Sequence, residues 1–136
     1  MKLAYKVVLK RNGRFRSLMD LELGAYGAEY HLGHVTLPTV EGSKLFVYTS
    51  LRKAHYTHFG SYRDRLGILL CEVGELVPIR QNLTISAAWW AHAGWTNGQL
   101  RNYEMPMTGC DDLIEINKDG GVGLADWVKP LEIVSL

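Results

Sequence analysis

The stretch from Lys44 to Pro78, KLFVYTSLRKAHYTHFGSYRDRLGILLCEVGELVP, restricts the fold more than any other part of the chain. Residues 44–49, KLFVYT, join β-branched and aromatic side chains with no breaker, the composition of a strand. Ser50 follows where a helix N-cap belongs, since its hydroxyl can accept from a free backbone N–H at the start of LRKAHYTHF. Leu51 and Ala54 fall on one stripe of that helix, with His55 and His58 beside them, and Gly60 is the stop. After a polar turn at residues 63–65, GILLCEV at 67–73 is a nearly continuous apolar run, the pattern of a central strand. Strand, capped helix and strand predict a mixed core with a helix over about residues 50–59. If the two strands are parallel neighbours, the unit is a right-handed crossover.

The N-terminus predicts a β-hairpin. AYKVVLKR and RFRSLM are alternating runs joined at Asn12-Gly13, the pair favoured where two successive turn residues need positive φ. A two-residue loop sets Lys10 opposite Phe15 and Leu9 opposite Arg16. Tyr5, Val7, Leu9 and Leu18 then share one face, the expected core side. Further strands are expected at residues 29–32 and 113–117. Residues 75–81 extend the 67–73 strand or begin a neighbour. The closing strand at 127–134 carries Pro130, which predicts a sheet edge or a bulge. Residues 83–95 give mixed signals. Ala87, Ala88 and Ala91 favour helix, whereas Thr84, Ile85, Trp89 and Trp90 favour strand. A helix over about 86–92, stopped at Gly94, is the reading adopted. Residues 1–136 then form a single compact α+β domain, mainly antiparallel sheet with an N-terminal hairpin and one or two short helices.

Bulk properties exclude several classes. A chain of 136 residues supports one core, and 47% hydrophobic with 21% charged residues is a globular rather than disordered balance. The net charge of +1 gives no global field for nucleic acid or an anionic membrane. No apolar run approaches the roughly 20 residues of a membrane helix. The first residues lack the long apolar stretch of a signal peptide, so a cytoplasmic location is expected. Cys71, inside ILLCEV, reads as a free buried thiol, and Cys110 as a loop cysteine.

Two surfaces stand out as binding candidates. The hairpin carries Lys6, Lys10, Arg11, Arg14 and Arg16, a local cationic patch that survives near-neutral net charge. It suits an anion or an acidic partner. The plain alternative is solvated strand faces that guard an edge against pairing. The second surface is aromatic. Trp89 and Trp90 cannot point the same way on a strand and diverge by about 100° on a helix, so at least one of them is expected to be partly exposed or to line a groove; the plain alternative is that both find core through different layers. Trp95, Arg101 and Tyr103 lie nearby among Gly94, Asn97 and Gly98, a composition that suits partner contact. The predicted binding set is therefore Trp89, Trp90, Trp95, Arg101, Tyr103, Lys10, Arg14 and Arg16.

The remaining constellations carry less. His31-x-x-His34 and His55-x-x-His58 could together supply four ligands, but their spacing matches no recognised metal signature. Asp111-Asp112 and Asp119-Gly120 lack the calcium-loop pattern. Cys110 and His92 show no sequence sign of meeting. No catalytic residue, metal or cofactor is assigned.

The layout of AYKVVLKRNGRFRSL, then KLFVYTSLRKAH, then GILLCEVGELVPI, then WVKPLEIVSL, resembles a loose family of short uncharacterised proteins of bacteria and their phages. The resemblance covers about half the chain and implies a small α+β domain. It implies no activity. A second likeness is to the ADP-ribosyltransferase-like fold, in which a basic residue on an opening strand holds NAD, a hydroxyl-rich strand end follows, and a downstream Glu stabilises charge on the ribose. Tyr5-Lys6, Tyr48-Thr49-Ser50, and Glu72, Glu75 or Glu104 would fill those places. Lys6 stands where Arg or His is expected, no Ser precedes Thr49, and no Glu lies in a Glu-x-Glu context. Two function classes follow. One is a non-enzymatic binding protein, a phage or mobile-element accessory factor that engages an unidentified host protein or small ligand. The other is an NAD-processing transferase or glycohydrolase.

Overall fold

The computed structural model describes residues 1–16, 28–38, 44–55, 65–79, 83–86, 113–116 and 119–135. These make one antiparallel sheet of eight strands, a separate two-stranded ladder and one short helix. Strand β1 (Lys2–Arg11) turns at Asn12 and Gly13 into β2 (Arg14–Arg16). Both turn residues have positive φ, 53° and 76°, the requirement of the tight hairpin turn. Leu9 faces Arg16, Lys10 faces Phe15 and Arg11 faces Arg14, as the two-residue loop predicts. Strand β3 (Glu29–Tyr30) pairs with β2, and β4 (Leu45–Tyr48) pairs with β1 at Tyr5 and Tyr48.

Helix α1 (Leu51–His55) follows β4 directly. Ser50 caps it: the Lys53 N–H reaches the Ser50 hydroxyl at 3.4 Å, and the Ala54 N–H donates to the Ser50 carbonyl at 3.1 Å. Strand β5 (Leu66–Gly74) then runs along β1 on the edge opposite β4. Strands β4 and β5 are each antiparallel to β1 and hence parallel to one another. The expected crossover therefore exists, but β1 lies between its two strands instead of their being neighbours. Strands β6 (Val77–Pro78) and β9 (Val122–Ala125) continue the sheet beyond β4. Strand β10 (Trp127–Ser135) flanks β5, with bulges after Pro130 and Ile133, so the expected effect of the proline is seen. Strands β7 (Leu83–Ser86) and β8 (Leu113–Ile116) pair with each other. Ser86 ends a strand, so the expected helix does not begin there. Residues 87–92 lie outside the described residues.

The sheet comes back on itself. From β10 the ladder passes through β5, β1, β2 and β3, and Thr36 bridges to Val128 of β10. The Thr36 N–H donates to the Val128 carbonyl at 2.7 Å, the Val128 N–H returns to Thr36 at 3.0 Å, and the Gly33 N–H reaches the Pro130 carbonyl at 2.7 Å. Inside this ring lie Ala4, Val8, Tyr30, Leu69, Cys71, Val73 and Val128, with Leu45, Val47 and Ala125 from the neighbouring strands. Outside it, α1 covers Val7 and Ile68 through Ala54, with Tyr5, Tyr48, Leu51 and Leu66 around them.

Both faces of β1 are thus buried. The expectation that Tyr5, Val7 and Leu9 define the core side holds for the helix-covered face and misses the ring interior; Leu18 lies outside the described residues. The result is mostly antiparallel sheet with a single short helix among the described residues, a more β-rich domain than the α+β label implies.

Two details fix the corners. Gly74 faces Trp127 across β5 and β10, and a Cβ on Gly74 would lie 2.0 Å from the indole nitrogen. Only glycine leaves room for that ring. Asp126, between β9 and β10, donates its N–H to the Gly74 carbonyl at 2.9 Å and takes the Lys44 ammonium on its carboxylate.

Candidate functional site

The pleat of the opening hairpin sorts its cations into two groups. Side chains alternate along a strand, and directly opposed residues share a face. Arg11, Arg14 and Arg16 therefore lie on one face, that of Leu9. Lys6 and Lys10 lie on the other, that of Val8 and Phe15. By this register Lys10, which is exposed, sits on the opposite pleat from Arg14 and Arg16.

Lys6 is not surface charge at all. It is 8% exposed, inside the ring. Its ammonium donates to the Phe46 carbonyl on β4 and stands 5.5 Å from the centroid of the Tyr30 ring. Desolvation pulls its pKa down from 10.5 to about 8, with the electrostatic pull of Cys71 opposing that shift. Cys71, across the same interior, is pushed up from 9.0 to about 12 by burial, against the pull of Lys6. Such a thiol is protonated and inert at neutral pH.

The arginine face is built differently. Glu29 on β3 is the cross-strand partner of Arg16. Its carboxylate lies 3.7 Å from Arg16, 3.6 Å from Arg14 and 3.8 Å from the His31 imidazole. All three separations exceed the roughly 2.7–2.9 Å of a tight charge-assisted hydrogen bond. One carboxylate is shared loosely rather than clamped. Arg11 has no acidic partner among the described residues. It faces Arg14 directly, an arrangement of like charges that is unfavourable without an anion between them.

Two open hollows meet at this end of the molecule. One, of about 380 Å³, is lined by Arg11, Asn12, Arg14 and Arg16. The other, of about 540 Å³, is lined by Arg14, Phe15, Glu29, His31 and His34 among others. Thr36 holds this wall in place, since its hydroxyl donates to the Glu29 carbonyl at 3.1 Å while its backbone ties the segment to β10.

The other sequence candidates fare unevenly. Trp89, Trp90, Trp95, Arg101 and Tyr103 lie outside the described residues, as do His58 and Cys110. His31 and His34 meet edge to face at 6.3 Å, and His55 is exposed at the end of α1. Among the described residues no group of three or more His, Cys, Asp or Glu side chains could hold a metal. The NAD-site analogy is not assembled by the described residues. Tyr5 and Tyr48 are cross-strand partners on the helix-covered face, but Lys6 points into the interior from the opposite face. The Ser50 hydroxyl is placed as a helix cap. Glu29 was not singled out by sequence. The signal available was a carboxylate at the start of the short strand expected at residues 29–32. No helix among the described residues is long and apolar enough to cross a membrane. No protein-family model, no curated protein and no solved structure matches this chain.

Proposed function

We propose that this chain is a non-enzymatic binding protein whose partner presents an anionic group to the arginine face of the hairpin. The observation that carries the reading is that Arg11, Arg14 and Arg16 share one pleat face, on which Arg11 and Arg14 are directly opposed and Glu29 lies 3.6 Å from Arg14. A purely structural role would favour a tight acidic partner for both members of that opposed pair. The resemblance of the sequence layout to short bacterial and phage proteins fits a cytoplasmic accessory factor, one that occupies a host protein or a small ligand. The aromatic stretch at residues 89–103 supplies a second contact in this reading, with Trp90 and Trp95 as anchors.

The test is capture of partners from a host lysate by the wild-type chain and by two variants, Arg11→Glu/Arg14→Glu and Trp90→Ala/Trp95→Ala. Circular dichroism of each checks that the fold persists. The reading expects salt-sensitive capture by the wild type and its loss in both variants. Undiminished capture by the charge-reversed chain contradicts the arginine face as the contact.

A further inference from the structure

The arginine face carries more detail about the anion it takes. This step rests on the binding-protein reading above and narrows it to a chemical class. Arg11 and Arg14 are directly opposed on adjacent strands, so their Cβ atoms are about 4.5–5.5 Å apart. A guanidinium presents its donors as a planar fork, and two such forks lining one hollow are well served by a group with several acceptor oxygens. Among the described residues Glu29 is the acidic neighbour of Arg14, at 3.6 Å, and Arg11 has none. The opposed pair Arg11 and Arg14 therefore suits a compact group of higher charge than a carboxylate. Asn12, between the two arginines at the turn, lines the same hollow and offers a side-chain amide.

We infer that the hollow lined by Arg11, Asn12, Arg14 and Arg16 is a site for a phosphate monoester group. Such a group carries about −1.5 to −2 charge at pH 7 and three strong acceptor oxygens, enough to bridge Arg11 and Arg14 and relieve their repulsion. Glu29 then acts as an internal competitor, an anion held near Arg14 that an incoming phosphate must displace. This gives the site a property that a merely solvated basic patch lacks: removing one acidic charge from it strengthens binding. The site faces solvent, so it suits a small phosphorylated metabolite or a phosphorylated side chain alike.

The experiment is isothermal titration at low ionic strength, with five probes: inorganic phosphate, N-acetyl-phosphoserine amide, a longer phosphoserine peptide, a short oligoglutamate peptide and oligothymidylate. The wild-type chain is expected to bind the phosphate and phosphoserine probes more tightly than oligoglutamate or the phosphodiester strand. Affinity is expected to fall below pH 6 as the phosphate gains its second proton. Arg14→Gln is expected to weaken phosphate binding about ten-fold, and Glu29→Gln to strengthen it a few-fold, roughly the range that loss of one competing charge allows. A longer phosphopeptide that binds no better than N-acetyl-phosphoserine amide assigns the site to small ligands, and a tighter one assigns it to phosphorylated proteins. Binding of oligoglutamate or oligothymidylate without binding of phosphate overturns the monoester assignment and leaves the anionic-partner reading standing. No binding of any probe overturns both. Unchanged affinity in Arg14→Gln and Glu29→Gln overturns the site even if phosphate binds elsewhere.

Discussion

Lys6 and Arg14 belong to the same hairpin, yet the protein uses their charges in opposite ways. Lys6 lies inside the ring of strands, hydrogen-bonded to the Phe46 carbonyl, with its proton loosened by burial. Arg14 lies outside, well exposed, with one distant carboxylate for company. The register decides which is which: Lys6 is on the pleat of Val8, and Arg14 on the pleat of Arg11. A buried cation costs stability unless its donors are satisfied, so it serves the fold. An exposed cation contributes little to folding and keeps its donors for a partner. The comparison separates a buried charge from an exposed one on a single hairpin.

The largest expected effect breaks the comparison on its buried side. Between pH 8 and 10.5 the unfolded chain holds a proton on Lys6 that the folded chain has released, so stability rises with pH through that window. Cys71 works the other way. Between pH 9 and 12 the folded chain keeps a thiol proton that the unfolded chain has lost, so its contribution falls. Lys6→Met isolates the first term. The stability of the wild type relative to this variant is expected to rise by about 3 kcal/mol from pH 7 to pH 10.5, measured by urea unfolding. Parallel pH profiles would place the ammonium in solvent.

Next in size is the corner where β5 meets β10. Gly74→Ala puts a methyl into the Trp127 indole and is expected to cost about 1–3 kcal/mol. Trp127→Leu removes the obstacle, so the double variant should lose less than the sum of the two single ones. Strict additivity would mean that the two residues do not touch. Smaller again is Thr36→Val, which deletes the hydroxyl that holds Glu29 and is expected to cost about 1 kcal/mol. The smallest change in stability is expected at the arginine face. Arg14→Gln should shift the unfolding free energy by less than about 0.5 kcal/mol, because exposed ion pairs contribute little. A loss comparable to that of Gly74→Ala would make Arg14 a structural residue.

Local chemistry made half of this picture readable in advance. Asn12-Gly13 dictates the turn and therefore the register, and Ser50 marks the helix start, because each acts through its own backbone neighbours. Lys6 concealed the ring interior. Ala4-x-Lys6-x-Val8 reads as a polar-leaning face, and only tertiary closure shows that the lysine is inside. That closure runs through the Thr36–Val128 bridge and the Gly33–Pro130 hydrogen bond, contacts between residues far apart in sequence, with no periodicity to announce them. The same limit applies to the site. The arginines were visible as a basic hairpin, but their separation from Lys10 and their sharing of Glu29 follow from pairing with β3, a strand of two residues.

The most direct measurement is unfolding with and without inorganic phosphate, at matched ionic strength, for the wild type, Lys6→Met and Arg14→Gln. A ligand that binds only the folded chain raises its stability in proportion to the logarithm of its concentration over Kd. Phosphate is expected to stabilise the wild type and Lys6→Met equally and to leave Arg14→Gln almost unmoved. Equal stabilisation of Arg14→Gln, or its loss in Lys6→Met, would contradict the division of labour between the two faces.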